Sequence, residues 1–342
     1  MKLFSIIRRL WWLAWLSGGL LLAPGPAHAQ VTCTSYASNI NFSPISGLAT
    51  AATSNGTINW TCTNATFLST AYVTLCLNIG TGTGGTSGTT RLMSGGTPPL
   101  QFQLYQNAGN TQIWGSLLGG PSPTPYQTQF TIPGALFTNG TTSGSATVYG
   151  AIPAGQSTVP PGSYISSFTA ANSVVFMNYS ANFFGSSYPS SCGTSDVQDY
   201  FPFTVSATVI KECQVTAGAA SNINLGTVPS TATNITGHNS ISVSCTSTTP
   251  YYIGLSPSNG NSAGAGVMSG TGSNTDKVPY QLYSNTGLST PWGNTATSTS
   301  VGNGASGTGT GSAQSIPVYA KAPSANYTPD SYSDTVTVNV NY

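Results

Sequence analysis

A long motif occurs twice in this sequence, and a duplication restricts the fold more than any single residue does. "QLYQNAGNTQIWG" (residues 103–115) returns as "QLYSNTGLSTPWG" (281–293), displaced by 178 residues without a gap. The flanking pieces keep their order. "LMSGG" (92–96) matches "VMSGT" (267–271), and "NWTC" ending at Cys62 matches "SVSC" ending at Cys245. "CTSYASNINF" from Cys33 matches "CQVTAGAASNINL" from Cys213, and "VYGAIPAGQSTVPPGSY" (148–164) matches "VYAKAPSANYTPDSY" (318–332). The chain is therefore expected to contain two copies of one domain, 30–210 and 211–342, behind a leader at 1–29. The leader has Lys2, Arg8 and Arg9, then an apolar run, then Ala-His-Ala, the pattern of a secretory signal peptide cleaved after Ala29. Its apolar run is short for a membrane span.

Export permits disulfides. Beyond the leader stand Cys33, Cys62, Cys76, Cys192, Cys213 and Cys245. The repeat pairs Cys33 with Cys62 and Cys213 with Cys245, each joining the first two strands of its copy. Cys76 and Cys192 have no counterparts and are left to each other. No CxxC occurs and His238, in an expected loop, is the one histidine after the leader, so no metal site is expected and no cofactor is implied. Charged residues make up 4% of the chain, too few to neutralise a run of phosphates, so nucleic acid is excluded as a partner.

Gly, Ser, Thr and Asn separate short segments in which apolar and polar residues alternate, which predicts an all-β fold of two immunoglobulin-like sandwiches in tandem. In the first copy strands are expected near 33–42, 57–63, 72–79, 100–106, 146–152 and 166–179. In the second they are expected near 213–225, 240–246, 251–256, 278–284, 315–320 and 333–342. The first copy then adds a seventh, "DYFPFTVSATVI", from about Tyr200 to Ile210. The second stops at "DTVTVNVNY", so it is expected to be incomplete. A missing strand leaves unpaired backbone groups and an open apolar groove, bordered here by Val336, Val338, Val340 and Tyr342. A strand from another chain is expected to fill it, by donor-strand complementation.

The combination "QLYxNxGxxxxWG", "VMSG", the paired early cysteines and a "YxDTVTVxVxY" end resembles spore coat protein U domains, the subunits of archaic, Csu-type chaperone–usher pili. The resemblance spans both copies and is closer in the second. It implies a periplasmic chaperone that holds the groove during assembly, an outer-membrane usher, and an adjacent pilin whose N-terminal strand replaces the chaperone. Ordinary subunits of that family carry one such domain behind a donor extension. Here only Gln30, Val31 and Thr32 stand between the expected cleavage site and Cys33, and an extra domain is present. The expectation is a two-domain tip adhesin, exported through the periplasm to the cell surface.

The seventh strand runs toward the second copy, so its start, and the loops level with it, face away. Those loops, about 64–71, 107–145 and 180–199, hold Phe67, Leu68, Leu117, Leu118, Leu136, Phe137, Phe183, Phe184 and Tyr188. Apolar loop tips mark interaction sites, which points to attachment to abiotic or host surfaces and to biofilm formation. The same residues could instead fold back as a small secondary core. Trp114 and Trp292, with Tyr105 and Tyr283, are kept in both copies and are expected to anchor core or turns. Two alternatives stay open: a carbohydrate-binding tip lectin, and a ligand-free coat component. "GNSAG" (260–264) fits a hydrolase nucleophile pattern but has no strand–turn–helix context, so no enzyme is expected. Asp196 and Asp199 are expected to be solvated.

Overall fold

The computed structural model describes residues 31–48, 51–66, 68–134, 138–181 and 187–342, so the expected leader lies outside the described residues. Strands form where the alternation is strongest. In "FTVSATVI", Phe203, Val205, Ala207 and Val209 are buried while the residues between them are not. A lone 3-10 turn at Ala219–Ser221 is the one helical element among the described residues.

The first unit contains β1 (Val31–Ala37), β2 (Ile40–Asn41), β3 (Ile45–Ser46), β4 (Ala52–Asn64), β5 (Ala71–Ile79), β6 (Thr86–Ser87) and β7 (Thr90–Met93). It continues with β8 (Leu100–Tyr105), β9 (Tyr126–Ile132), β10 (Gly140–Ile152), β11 (Gly162–Phe168), β12 (Ser173–Ala181), β13 (Val197–Tyr200) and β14 (Phe203–Ile210). The second contains β15 (Cys213–Thr216), β16 (Thr233–Cys245), β17 (Pro250–Pro257), β18 (Ala265–Ser269), β19 (Lys277–Tyr283), β20 (Ala305–Thr308), β21 (Ala313–Ser324) and β22 (Val336–Asn341).

In the first unit the sheet β1-β4-β10-β8-β7-β6 faces two shorter sheets, β13-β12-β5-β9 and β11-β14-β2, with β3 also paired to β14. In the second, β15-β16-β21-β19-β18 faces β20-β17-β22. Each unit has its own hydrophobic core. Strands β4 and β10 each run 13 residues, about 40 Å at the usual rise, which sets the length of the first unit.

The duplicated motif is a structural device. Trp114 and Trp292 are fully buried, and each indole N–H donates to a carbonyl of the neighbouring strand, Leu77 O and Ile253 O, both at 2.8 Å. Asn107 accepts from the N–H groups of Thr111 (3.1 Å) and Gln112 (3.0 Å), and Asn285 does the same for Ser289 (3.1 Å) and Thr290 (3.0 Å). Asparagine thus replaces the backbone acceptors that a turn lacks. Tyr164 and Tyr332 each donate a hydroxyl to the carbonyl four residues back, Pro160 O and Thr328 O, at 2.7 Å. Three disulfides form, Cys33–Cys62, Cys76–Cys192 and Cys213–Cys245, in the expected pairing.

Several boundaries differ from expectation. The first strand of each copy breaks early, at Ala37 and at Thr216. The sixth strand of the first unit is two strands, β11 and β12, because a turn at 169–172 moves the chain from one short sheet to the next. The seventh breaks likewise, at Phe201–Pro202: Pro has no N–H to give to a ladder. His238 lies within β16, its ring stacked near Tyr319 at 5.7 Å, and not in a loop. The stretch 107–145 is not one loop, since β9 and the start of β10 lie within it.

Arg91 is fully buried with no carboxylate beside it. Its guanidinium donates to Gly80 O (2.8 Å), Ile79 O (2.7 Å), Trp114 O (2.7 Å) and the Gln103 side chain. It sews the ends of β5 and β8 to the Trp114 turn, and burial lowers its pKa to about 9. Replacing Arg91 with Leu strands these carbonyls in the core. Denaturant unfolding should register a loss of at least about 2 kcal/mol; an unchanged midpoint would show that water or rearranged backbone satisfies them.

Candidate functional sites: a groove and a three-loop tip

In the first unit β14 fills a gap between two partners. It runs antiparallel to β11, with Val205 opposite Ser166, and parallel to β2, with Val205 opposite Ile40. Phe42 donates its N–H to Ser206 O at 2.9 Å. Just upstream, side chains of β13 stand in for a ladder along the free edge of β1. Gln198 Oε1 accepts from Cys33 N (3.2 Å) and Asp199 Oδ2 from Ser35 N (2.5 Å). Asp199 is therefore an edge cap and not the solvated carboxylate that its sequence context suggested.

The second unit has both walls of this gap and no strand between them among the described residues. Ile223 and Leu225 stand where the repeat places Ile40 and Phe42, and Val336 and Val338 stand on the facing strand. Ile40 and Phe42 are 0% and 5% exposed, whereas Ile223, Leu225, Val336 and Val338 are only half-buried. Met268 is half-buried where its counterpart Met93 is fully buried. A cavity of about 610 Å³ separates the walls, floored by Leu255, Leu282 and Val318. A second, of about 490 Å³, continues it past Ile223, Leu225 and Tyr332. Strand β22 is paired to β17 alone, from Val336 opposite Pro257 to Asn341 opposite Tyr252. Val340 pairs opposite Ile253 beyond the cavity lining, and Tyr342 is exposed.

A tyrosine–carboxylate pair is among the polar groups that face this groove. Tyr280 Oη donates to Asp334 Oδ2 at 2.6 Å, and Asp334 Oδ1 accepts from Thr335 N at 2.8 Å. Burial first, and then the carboxylate, push the Tyr280 phenol far above its usual range. Sequence reading passed over both residues. The signal was an acidic residue on the inward parity of an otherwise Val-lined strand.

At the far end of the first unit three loops meet. Asn64 Nδ2 donates to Ser69 O (2.9 Å) and Ile132 O (3.1 Å), tying the loop after β4 to the end of β9. Thr74 Oγ1 donates to Pro189 O at 2.7 Å, and Tyr72 meets Tyr188 edge-on at 5.3 Å, which brings in the segment before β13. The Cys76–Cys192 bridge fixes that segment to β5 over a small apolar cluster with Val174 and Phe176. Leu68 and Tyr188 are exposed here, at 49% and 39%. Phe67, Leu136, Phe137, Phe183 and Phe184 lie outside the described residues.

Leu117 and Leu118 do not join this cluster. Both are exposed, but Leu117 N donates to Asn78 Oδ1 at 2.8 Å, which puts them beside the opposite end of β5. The reason is β9: the excursion after β8 first packs low on the unit, and only then does β9 carry the chain up to the tip. The 260–264 segment lies in the connection between β17 and β18, away from any helix.

The Spore Coat Protein U domain matches this chain twice, over residues 20–171 and 199–339. The chain belongs to that family. The second match begins before β14, so the strand that completes the first sandwich lies in the stretch matched to the second copy, ahead of Cys213. No curated protein matches the chain. Among solved structures it is similar to the CsuC–CsuE chaperone–tip adhesion subunit pre-assembly complex of Acinetobacter baumannii Csu pili. That match has 17% identity, covers 91% of this chain and 100% of that one, and has a TM-score of 0.48. The CupB6 tip adhesin of Pseudomonas aeruginosa matches at 10% identity over 92% of this chain and 95% of its own, TM-score 0.36. CfaE, the adhesive subunit of CFA/I fimbria of enterotoxigenic Escherichia coli, matches at 10% over 89% and 92%, TM-score 0.31.

Removing the bridge over the tip, with Cys76→Ala and Cys192→Ala together, should cost about 2–4 kcal/mol of stability. Hydrogen exchange should rise in 187–196 and β5 and stay unchanged in the second unit. Equal protection with and without the bridge would mean that packing alone holds the segment.

Proposed function

We propose that the chain is the adhesive end subunit of a chaperone–usher pilus. The observation that carries this is the open groove of the second unit, in the place that β14 fills in the first. The first sandwich is closed in cis by the strand leading into the second copy. The second awaits the same kind of strand from an adjacent pilin. Before that, a periplasmic chaperone holds the groove, and an outer-membrane usher exchanges one occupant for the other. A strand such as β14 buries three large apolar side chains, each contributing roughly 1.5–3 kcal/mol, besides restoring backbone hydrogen bonds. On this reading 30–210 is the binding unit and 211–342 the anchoring pilin unit.

The three-loop tip is the attachment surface, and its apolar loop residues hold the cell to hydrophobic surfaces and seed biofilm. Leu68 and Tyr188 supply its described part, and Phe67, Leu136, Phe137, Phe183 and Phe184 are assigned to it from the sequence. Individually weak contacts become firm when many pili engage together.

Two experiments test this. Fusing a copy of 203–210 to the full chain after Tyr342, through a flexible linker, should raise the unfolding temperature of the second unit and suppress aggregation. A second unit equally stable without the fusion would sink the acceptor role. Leu68→Ser with Phe183→Ser and Phe184→Ser should lower bacterial adhesion to plastic about tenfold or more, with piliation intact, since each lost apolar contact is worth at least about 1 kcal/mol. Leu117→Ser with Leu118→Ser should leave adhesion unchanged. The reverse order of effects would move the binding surface to the side of the unit.

A further inference from the structure

At the level of Val205 the groove differs chemically from the filled one. In the first unit Val205 enters between Ile40 and Ser166, and Ser166 and Phe102 are both fully buried. The repeat places Ile223, Asp334 and Tyr280 at those three positions. The register is secured by two coincidences. Ser94 bridges Ile165 as Ser269 bridges Ser333, and the Tyr164 and Tyr332 hydroxyls make the same bond four residues back. Asp334 therefore stands where Ser166 stands, and Asp334, Tyr280 and Ile223 all line the 610 Å³ cavity.

A carboxylate accepts at about four lone-pair sites. Two are taken, by Tyr280 Oη and Thr335 N. The others open onto the groove. Any strand that fills the groove shields them from solvent. An apolar residue here would leave a desolvated carboxylate short of donors, which is far more costly than an unfilled apolar pocket. Toward the level of Phe203 the walls are aliphatic, through Leu255, Val336 and Val338, and ask for an apolar side chain; the other way they carry Leu225 and Tyr332 and, where the cavity continues, Asp330. The register of the first unit, carried over, sets the inward residue directly opposite Asp334, which suits a short donor.

Building on the groove reading above, we infer that the Asp334–Tyr280 pair selects the occupant: the strand that fills the second unit carries Ser or Thr at the level held by Val205 in the first. The same strand keeps an apolar residue at the level of Phe203. The second unit then binds a strand of the first unit's type more weakly than a matched one, which disfavours closure of its groove by β14 of another copy.

The test uses the full chain and three labelled peptides, 203–210 as it stands and with Val205→Thr or Val205→Ser. The Thr and Ser peptides should bind about tenfold or more tightly than the Val peptide, the usual worth of a hydrogen bond to a charged group. In the Asp334→Ser chain, which copies the first unit, the order should reverse in favour of Val. Asp334→Asn should narrow the preference, and thermal unfolding of each variant checks that the unit still folds. Binding of all three peptides with equal affinity, or a Thr preference that survives Asp334→Ser, overturns the selection and leaves the groove reading standing. Binding of none overturns both.

Discussion

Every buried strand needs a neighbour on each side, and that demand on backbone hydrogen bonds organises this molecule. A sandwich that lacks one strand lacks two ladders and a row of core side chains together. In the first unit β14 meets the demand by bonding to β11 on one side and to β2 and β3 on the other. Burial of Ile40, Phe42, Met93 and Tyr164 depends on it. The second unit repeats those neighbours with no strand between them among the described residues, and their counterparts are all half-buried. Two copies of one sequence thus display the same sandwich closed and open, which makes the first an internal standard for the second.

Edges that are not filled are handled differently in the two units. Along β1 the side chains of Gln198 and Asp199 supply acceptors to Cys33 and Ser35. This is side-chain mimicry of a ladder, and it blunts an edge that would otherwise recruit another chain. No side chain of a β13 equivalent caps β15 among the described residues. The first unit is thereby protected against further pairing along β1.

Much of the fold could be read from the residues because the repeat constrained it. The disulfide pairs followed from matching cysteines, and the tryptophans were assigned to core because both copies keep them. Strand positions followed from alternation wherever one face is buried. What escaped was decided by tertiary context. Strand β9, "YQTQFTI", alternates, yet it lies in a long Gly/Pro-rich stretch, and its counterpart in the second copy, β20, shares no motif with it. Only its pairing with β5 gives it a role, and that pairing moved Leu117 and Leu118 away from the tip. Arg91 read as one of few charges and turned out to be a buried clasp. Nothing in "TTRLM" announces three carbonyl acceptors, two at the end of β5 and one in the Trp114 turn. Asp334 was hidden by its surroundings, an acid in a run of Val and Thr that reads as an ordinary strand.

The split seventh strand also has a mechanical consequence. A pull on the second unit reaches the first through Lys211 and Ile210, along the axis of β14. That strand is held by ladders on both flanks, and its neighbours lie parallel to the direction of the pull. The load is therefore shared by many hydrogen bonds in shear, and no single end bond takes it alone. Beyond Phe203 the chain turns at Pro202 into β13 and then reaches Cys192, whose bridge to Cys76 is covalent. A sandwich tethered this way resists being unzipped from its base, and flowing liquid would have to slide a whole strand out of its slot before the unit came apart.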